Sequence, residues 1–507
     1  MSLINIVDLT FAYDGSYDNI FENVSFQINT DWKLGFTGRN GKGKTTFLNL
    51  LLGKYEYSGK ITASVKFQYF PYDVTDKTKA TREVIEEICP LYQNWELMRE
   101  LSLLEVKEEV LMRPFNTLSN GEQTKILLSA LFLNEESFLL IDEPTNHLDI
   151  IGREIVSRYL NNKSGFILVS HDRAFLDGCV DHILSINRAN IEVQRGNFSS
   201  WFANKERQDN FELASNEKLK KDIKRLKQAA KQRGEWADKA ESTKIGKGSI
   251  GVEKSIDSRA YFGEKSRRAQ QQRKNLERRQ QAALDDKSRL LKNIERSDSL
   301  KITQTHYNKQ QYIHLSNVSI FYSKNKICSN ISFGVEQGDR IVLCGKNGSG
   351  KSSILKLVCS KAKAINEEIS FTGDLNVGNG LQISYVSQDT SNLCGSLTSY
   401  ALQNYIDESL FKAILRKLGF SRLQFEKDLK DFSGGQKKKV LIARSLCEKS
   451  HLLVWDEPLN FIDVLSRIQI EELLLEYKPT ILFVEHDSVF CNKIATKRIG
   501  LMHLEKL

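Results

Sequence analysis

Two stretches of the chain have the composition of a phosphate cradle. GRNGKGKTT occupies Gly38–Thr46, and GKNGSGKSS occupies Gly345–Ser353. Both fit the pattern GxxxxGK[ST]. Gly38, Gly41 and Gly43, and again Gly345, Gly348 and Gly350, let successive backbone amides curl around an anion. The helix expected to follow adds its positive end. Lys44 and Lys351 are placed to reach the outer phosphates of a nucleoside triphosphate. Thr45 and Ser352 are placed to set a hydroxyl on a magnesium ion. Asn40, Thr46, Asn347 and Ser353 complete the two loops. Each half then ends an apolar run in acid, in FLLIDEPTNHLD at Phe138–Asp149 and LLVWDEPLNFID at Leu452–Asp463. Asp142 and Asp456 read as acids of the magnesium shell. Glu143 and Glu457 can orient and polarise an attacking water. His171 and His486 end later strands, in ILVSHD and LFVEHD, and are expected at a γ-phosphate. Tyr13 and Tyr322 sit at matching places before the first sheet strands. They suit stacking on a base; a core aromatic is the alternative.

These residues recur in one order, 307 to 315 positions apart, and LSNGEQTK at Leu118–Lys125 recurs as FSGGQKKK at Phe432–Lys439. The repeat divides the chain into two similar domains, 1–200 and 307–507, around a different segment, 201–306. Within each domain, continuous apolar runs such as WKLGFTG, FLLID and GFILVSH alternate with helical patterns. That is the pattern of an α/β fold with a largely parallel sheet. The middle segment is read differently. Leu219, Ile223, Leu226 and Ala230, then Ala269, Leu276, Ala283 and Leu290, carry apolar residues at helical and heptad spacing. They predict an antiparallel helical hairpin of roughly 60 Å. Its tip falls near 242–266.

Charge singles out the same segment. The chain carries a net +9. Residues 204–298 hold 26 Lys and Arg against 16 Asp and Glu, so the rest is near neutral. A basic middle suits a polyanion, with a solvated helix face as the alternative. No apolar run approaches the ~18–20 residues of a membrane span. The first residues lack the basic and apolar regions of a secretory signal. Eight cysteines without a CxxC pair suggest reduced thiols and a cytoplasmic protein.

The phosphate loops, the acid pairs and above all LSNGEQ and FSGGQ resemble the ABC ATPase superfamily over both repeats. That resemblance implies two cassettes facing head to tail, with each ATP between one P-loop and the other cassette's signature. One site would join the first P-loop to Ser433, Gly434, Gly435 and Gln436. The other would join the second P-loop to Ser119, Asn120, Gly121 and Gln123. Gln388 would touch Mg²⁺; Tyr72 stands in the matching place of the first half, which departs from the pattern. Asn120 replaces the usual first glycine of the signature. Both Glu143 and Glu457 are present, so two hydrolytic sites are expected.

Two cassettes in one chain around a basic helical linker look like the ABC-F family, and more narrowly its antibiotic-resistance branch. The resemblance implies binding of the bacterial 70S ribosome near the exit site, as a monomer and without a membrane. The linker would contact the P-site tRNA and 23S rRNA. At its tip Lys244, Lys247, Lys254, Arg259, Arg267 and Arg268 suit phosphates. Ile250, Val252, Ile256, Tyr261 and Phe262 suit bases. The implied function is protection against lincosamide, streptogramin A and pleuromutilin drugs. A housekeeping ABC-F translation factor and the ATPase subunit of a transporter are the alternatives.

Overall fold

The computed structural model describes residues 2–13, 19–134, 137–146, 148–186, 191–242, 307–322, 325–363 and 369–501, with 267, 268, 271, 275, 278, 302 and 305. Its contacts divide the chain into two units. Met1–Trp201 and Ser297–Leu507 form one; Phe202–Arg296 forms the other.

The first unit contains both halves of the repeat. The first half has a six-stranded sheet in the order Lys66–Phe70, Ser137–Asp142, Phe166–Val169, Lys33–Thr37, His182–Ile186, Ile191–Arg195. All its pairs are parallel except the last. The second half repeats it with Ile383–Val386, Leu452–Asp456, Ile481–Val484, Arg340–Cys344 and Lys497–Gly500, all parallel. The sheets are as the apolar runs predict, because strands buried on both faces read as unbroken hydrophobic stretches. Trp455 and Phe483 face a helical layer with Phe411, Leu415 and Val440, whereas Val454 and Leu482 face the opposite layer.

That opposite layer adds to the parallel-sheet expectation. Each half also carries a separate three-stranded antiparallel sheet. The strands are Phe21–Asn29, Leu3–Phe11 and Ser58–Thr62 in one, and Asn325–Glu336, Gln311–Tyr322 and Ile369–Val377 in the other. Their alternating apolar residues share a core with the parallel sheet: Ile4, Ile6 and Leu9 cluster with Phe36, Leu140 and Ile167.

Register brings the chemistry to one rim. Val169 pairs with Phe36 on one side and Asp142 on the other. Val484 does the same with Leu343 and Asp456. The P-loop, the acid pair and the histidine therefore leave neighbouring strands at one level, at their carboxyl ends, where open α/β sheets hold ligands.

A 45-residue helix, Phe198–Ser242, begins the linker. Its first turn is held in the first half. Phe198 and Trp201 are buried against each other, and the Ser199 amide donates to Asp177 Oδ1 at 2.8 Å. Arg267 and Arg268 are helical and exposed. Lys244, Lys247, Ile250, Val252, Lys254, Ile256, Arg259, Tyr261 and Phe262 lie outside the described residues, as do the side chains of the seam at Leu219, Ile223, Leu226 and Ala230. Among the described residues, no helix is long and apolar enough to cross a membrane.

Candidate functional site

The two phosphate loops are near copies. Lys44 Nζ donates to Gly38 O at 2.8 Å and Arg39 O at 3.4 Å. Lys351 Nζ donates to Gly345 O at 2.8 Å and Lys346 O at 2.9 Å. Each ammonium is folded over its own loop, so it is aimed at whatever anion the loop holds. Gly43 and Gly350 have φ of 93° and 89°. A Cβ at Gly43 would also meet Ile20 Cγ2 at 2.5 Å. Only glycine fits that turn without strain. Burial pushes both lysine pKa values down; at Lys44 the Asp463, Glu143 and Asp142 charges oppose it. Asn40 is half-buried, whereas Asn347 and Gly348 are exposed. Thr46 meets the Tyr13 hydroxyl at 2.7 Å, and the Tyr13 ring packs edge-on against Phe11 and Tyr55 while remaining 43% exposed. Tyr322 is half-buried at the end of its strand, opposite Asn325. Ser353 is half-buried in the first turn of the helix Lys351–Lys363.

A divalent cation has a donor set at each loop. Thr45 Oγ1 lies 2.9 Å from Asp142 Oδ2, and Ser352 Oγ lies 3.0 Å from Asp456 Oδ1. One hydroxyl and one carboxylate, both hard oxygens, suit Mg²⁺ completed by nucleotide and water. Burial raises the Asp142 carboxyl, against bonds from Thr45 and Tyr69, and pushes Asp456 up to about 6. A cation would relieve both.

Glu143 and Glu457 have φ of 51° and 47°, which is unusual for a residue with a side chain. Each is held there by its sheet: Glu143 N donates to Val169 O at 2.9 Å, and Glu457 N to Val484 O at 3.0 Å. Strain repeated at one position of both halves marks a working residue. His171 Nε2 lies 3.3 Å from Glu143 Oε1, and His486 Nε2 lies 3.5 Å from Glu457 Oε1. Burial, then the Lys44 charge, pushes the His171 pKa far down, so its ring is neutral. Neither ring nitrogen of the buried His486 has a hydrogen-bond partner, and neither has Glu143 Oε1.

Around those acids the halves differ. Gln388 Nε2 donates to Glu457 Oε2 at 2.8 Å, so Gln388 holds the glutamate. Tyr72 is 37% exposed, and Tyr69 supplies the contact, donating to Asp142 Oδ2 at 3.0 Å. Burial pushes the Glu143 pKa up to about 8, aided by the Asp142 charge and opposed by Lys44. At Glu457 burial acts upward too, but His486, Lys438 and Asn460 outweigh it and hold the carboxyl below its ordinary value.

The signatures open helices, where free amides collect. Ser119 and Ser433 each cap one, at Asn120–Phe132 and Gly434–Cys447. The capping partner of Ser433 is Gln436, and that of Ser119 is Glu122. Gln123 turns back to Phe115 O and Leu118 O, each at 3.1 Å. Glu122, not Gln123, therefore stands where Gln436 does. The sequence carried the signal, since Ser-x-x-Glu and Ser-x-x-Gln are capping boxes. Asn120 and Gly434 are exposed, Gly121 is half-buried and Gly435 is buried.

The first P-loop meets the second signature. Asn40 Nδ2 donates to Phe461 O at 2.6 Å. A Cβ at Gly435 would meet Phe461 O at 2.3 Å and Asn40 Nδ2 at 2.6 Å. Asp463, buried and ion-paired with Lys439 at 2.6 Å, lies within electrostatic reach of Lys44. Asp149 stands in the same relation to Lys351. Phe461 and Asp463 gave no sign in one sequence of facing the first P-loop, because Asn40, which bonds Phe461, lies 421 positions away. Gly435→Ala should force this seam apart and weaken nucleotide binding at the first P-loop about tenfold, the equivalent of ~1.4 kcal/mol. Titration with a fluorescent nucleotide checks it; unchanged affinity at that loop would show the seam to be incidental.

The family model described as ABC transporter matches residues 21–146 and 328–460. The chain is 27% identical to "Ribosome protection protein VmlR" of Bacillus subtilis, over 97% of this chain and 86% of that one. It is also 27% identical to "ATP-binding protein Uup" of Buchnera aphidicola, over 98% of this chain and 80% of that one. Its fold is like that of an archaeal ribosome recycling factor, aABCE1, with a TM-score of 0.62 and 17% identity, covering 97% of this chain and 87% of that one. With paired cassettes, two P-loops, two signatures and a match along nearly the full length of such relatives, the chain is an ATP-binding ATPase of the ABC superfamily and belongs to its ABC-F family.

Proposed function

We propose that the chain is an ATP-dependent ribosome-binding protein that protects the bacterial ribosome from drugs of the peptidyl-transferase centre. The observation that carries this is the placement of a basic linker between two cassettes, each of which carries a P-loop, a signature and a glutamate directly after an acid-ended strand. Likeness to a relative named for ribosome protection supports it. Each ATP is held between one P-loop and the opposite signature. Lys44 and Lys351 take the outer phosphates. Thr45 with Asp142, and Ser352 with Asp456, hold Mg²⁺, which when bound neutralises phosphate charge. Glu143 and Glu457 accept a proton from the attacking water. His171 and His486 face the terminal phosphate. Tyr13 and Tyr322 lie alongside the base.

ATP joins the cassettes by bonding to both, and its hydrolysis removes the shared ligand. The closed form fits the ribosome near the exit site. Linker Lys and Arg meet phosphates of the P-site tRNA and 23S rRNA, and binding weakens with salt accordingly. The tip, from Lys244 to Arg268, displaces the drug by shifting tRNA or rRNA bases.

Expression in a drug-sensitive bacterium should raise the inhibitory concentration of a lincosamide and a pleuromutilin. Replacing Ile250–Phe262 by a short Gly/Ser turn should abolish that rise and leave ATP turnover unchanged. The likeness to Uup, as extensive as that to VmlR, favours a second reading, a housekeeping translation factor. It predicts a translation defect on deletion with no change in drug susceptibility.

A further inference from the structure

The two halves meet through different chemistry at two places that the internal repeat makes equivalent. At the first, Arg173 reaches from the helix Arg173–Cys179 to Glu471 on Val464–Tyr477 of the other cassette. Its two terminal nitrogens bond both carboxylate oxygens, Nη1 to Oε2 at 3.3 Å. Lys493 Nζ joins from Ser488–Ile494, also 3.3 Å from Glu471 Oε2. The Arg173 and Glu471 side chains are 9% and 3% exposed.

Repeat alignment gives each of the three a counterpart: Ser488 for Arg173, Ser157 for Glu471 and Gly178 for Lys493. All three counterparts line one cavity of about 450 Å³, together with Arg153, Asp172 and His486. Both halves keep the same internal ion pair beside these positions, Arg153–Asp172 at 2.7 Å and Arg467–Asp487 at 3.0 Å. Other lining positions differ as well, Glu154, Arg158 and Asn161 standing where the second half has Ile468, Glu472 and Leu475, but the clasp itself is made by three substitutions that bridge the space on one side and are missing on the other.

The filled side adjoins His171 and the first P-loop. There Asn40 bonds Phe461 and Gly435 is buried. The open side is lined by His486, and Gly121 of the first signature is only half-buried. Opening the first site must break a bidentate, charge-assisted contact, the strong kind of hydrogen bond. Opening the second separates walls that already lack contact atoms.

We propose that Arg173, Glu471 and Lys493 form a clasp that holds the first ATP site closed, so that nucleotide exchanges chiefly through the second. Arg173 and Glu471 are positioning residues, acting on the site through the helices that follow His171 and Asp463. The clasp rests on the two-site reading above. The same short helix grips the linker root through Asp177 and Ser199, so the clasped side is also the side from which the linker helix starts.

The test is a chase experiment. Protein carrying Glu143→Gln and Glu457→Gln is loaded with Mg²⁺ and methylanthraniloyl-ATP, and release is followed after adding excess ATP. Two phases are expected, about tenfold or more apart, as one charged hydrogen bond would give. Lys44→Ala should remove the slow one. Arg173→Ser, Glu471→Ser and Lys493→Gly together, which leave no buried charge unpaired, should bring the slow phase to the fast rate. Ser157→Glu with Ser488→Arg, which installs the clasp in the cavity, should slow the fast phase. Gly178 is kept there because its Cβ position lies against side chain 157, 2.4 Å from Ser157 Oγ in the native chain, and the longer Glu needs that space. The transplant is scored independently if the triple variant does not fold. A single phase, loss of the fast phase in Lys44→Ala, or a slow phase that survives clasp removal overturns the proposal. Failure to bind the analogue at all overturns the two-site reading, and the clasp with it.

Discussion

Replacing Glu143 and Glu457 together by glutamine is expected to lower ATP turnover by roughly 10²–10⁴-fold, the usual range for losing a general base. Glutamine keeps the shape and, at position 457, can still accept from Gln388. It cannot take the proton from water. Both positions have positive φ and are pinned to the adjacent strand, so the backbone that presents the side chain is set by the sheet and should survive the change. ATP then remains between the cassettes. On the ribosome-binding reading, the variant should co-sediment with ribosomes in ATP and be released in ADP. Retained turnover would remove the two glutamates from the chemistry. Lost turnover without co-sedimentation would leave them as bases and remove the ribosome as partner.

The residues that were legible in the sequence are those whose roles are local. Glycines at fixed offsets after an apolar strand mark a loop that must turn sharply and bare its amides. An acid that ends a buried strand must lie on the sheet's rim. The antiparallel sheets were harder to see. Ile4, Ile6 and Leu9 alternate over a short span interrupted by register shifts, a weak period beside the unbroken runs of the parallel core. The signature was legible as a motif yet misplaced by one residue in the first half. Capping geometry there chooses Glu122 as the partner of Ser119, and resemblance to a glutamine had drawn attention to Gln123. What no local pattern could disclose is the seam between cassettes. Asn40 bonds a carbonyl 421 positions away, and Arg173 a carboxylate 298 away. Such pairs depend on how two folded halves face each other, and a lone Arg or Glu on a helix looks like any solvated charge.

The two glutamates are electrostatically unequal, and pH should expose it. Glu143 is held up at about 8 by burial and by Asp142, with Lys44 and Arg467 opposing. Glu457 is held below its ordinary value by His486, Lys438 and Asn460, although burial acts the other way. A base works only when ionised, and below its pKa the ionised share falls about tenfold per pH unit. The Glu457→Gln protein, left with Glu143, should therefore gain turnover between about pH 6.5 and pH 8.5, by at most roughly 20-fold, because a cation at Asp142 offsets part of the charge that raises Glu143. The Glu143→Gln protein, left with Glu457, should be nearly flat over the same interval. The nucleotide-free protein offers a second reading of the same group. A carboxyl whose pKa rises on folding supports the native state fully below its unfolded value of 4.5, and that support is lost as pH climbs through about 8. Wild-type protein should accordingly lose thermal stability across that window relative to Glu143→Gln, whose amide does not ionise. Parallel melting curves at every pH, together with matching turnover profiles for the two single variants, would show that Glu143 is ionised at neutral pH and that the sites are electrostatically alike.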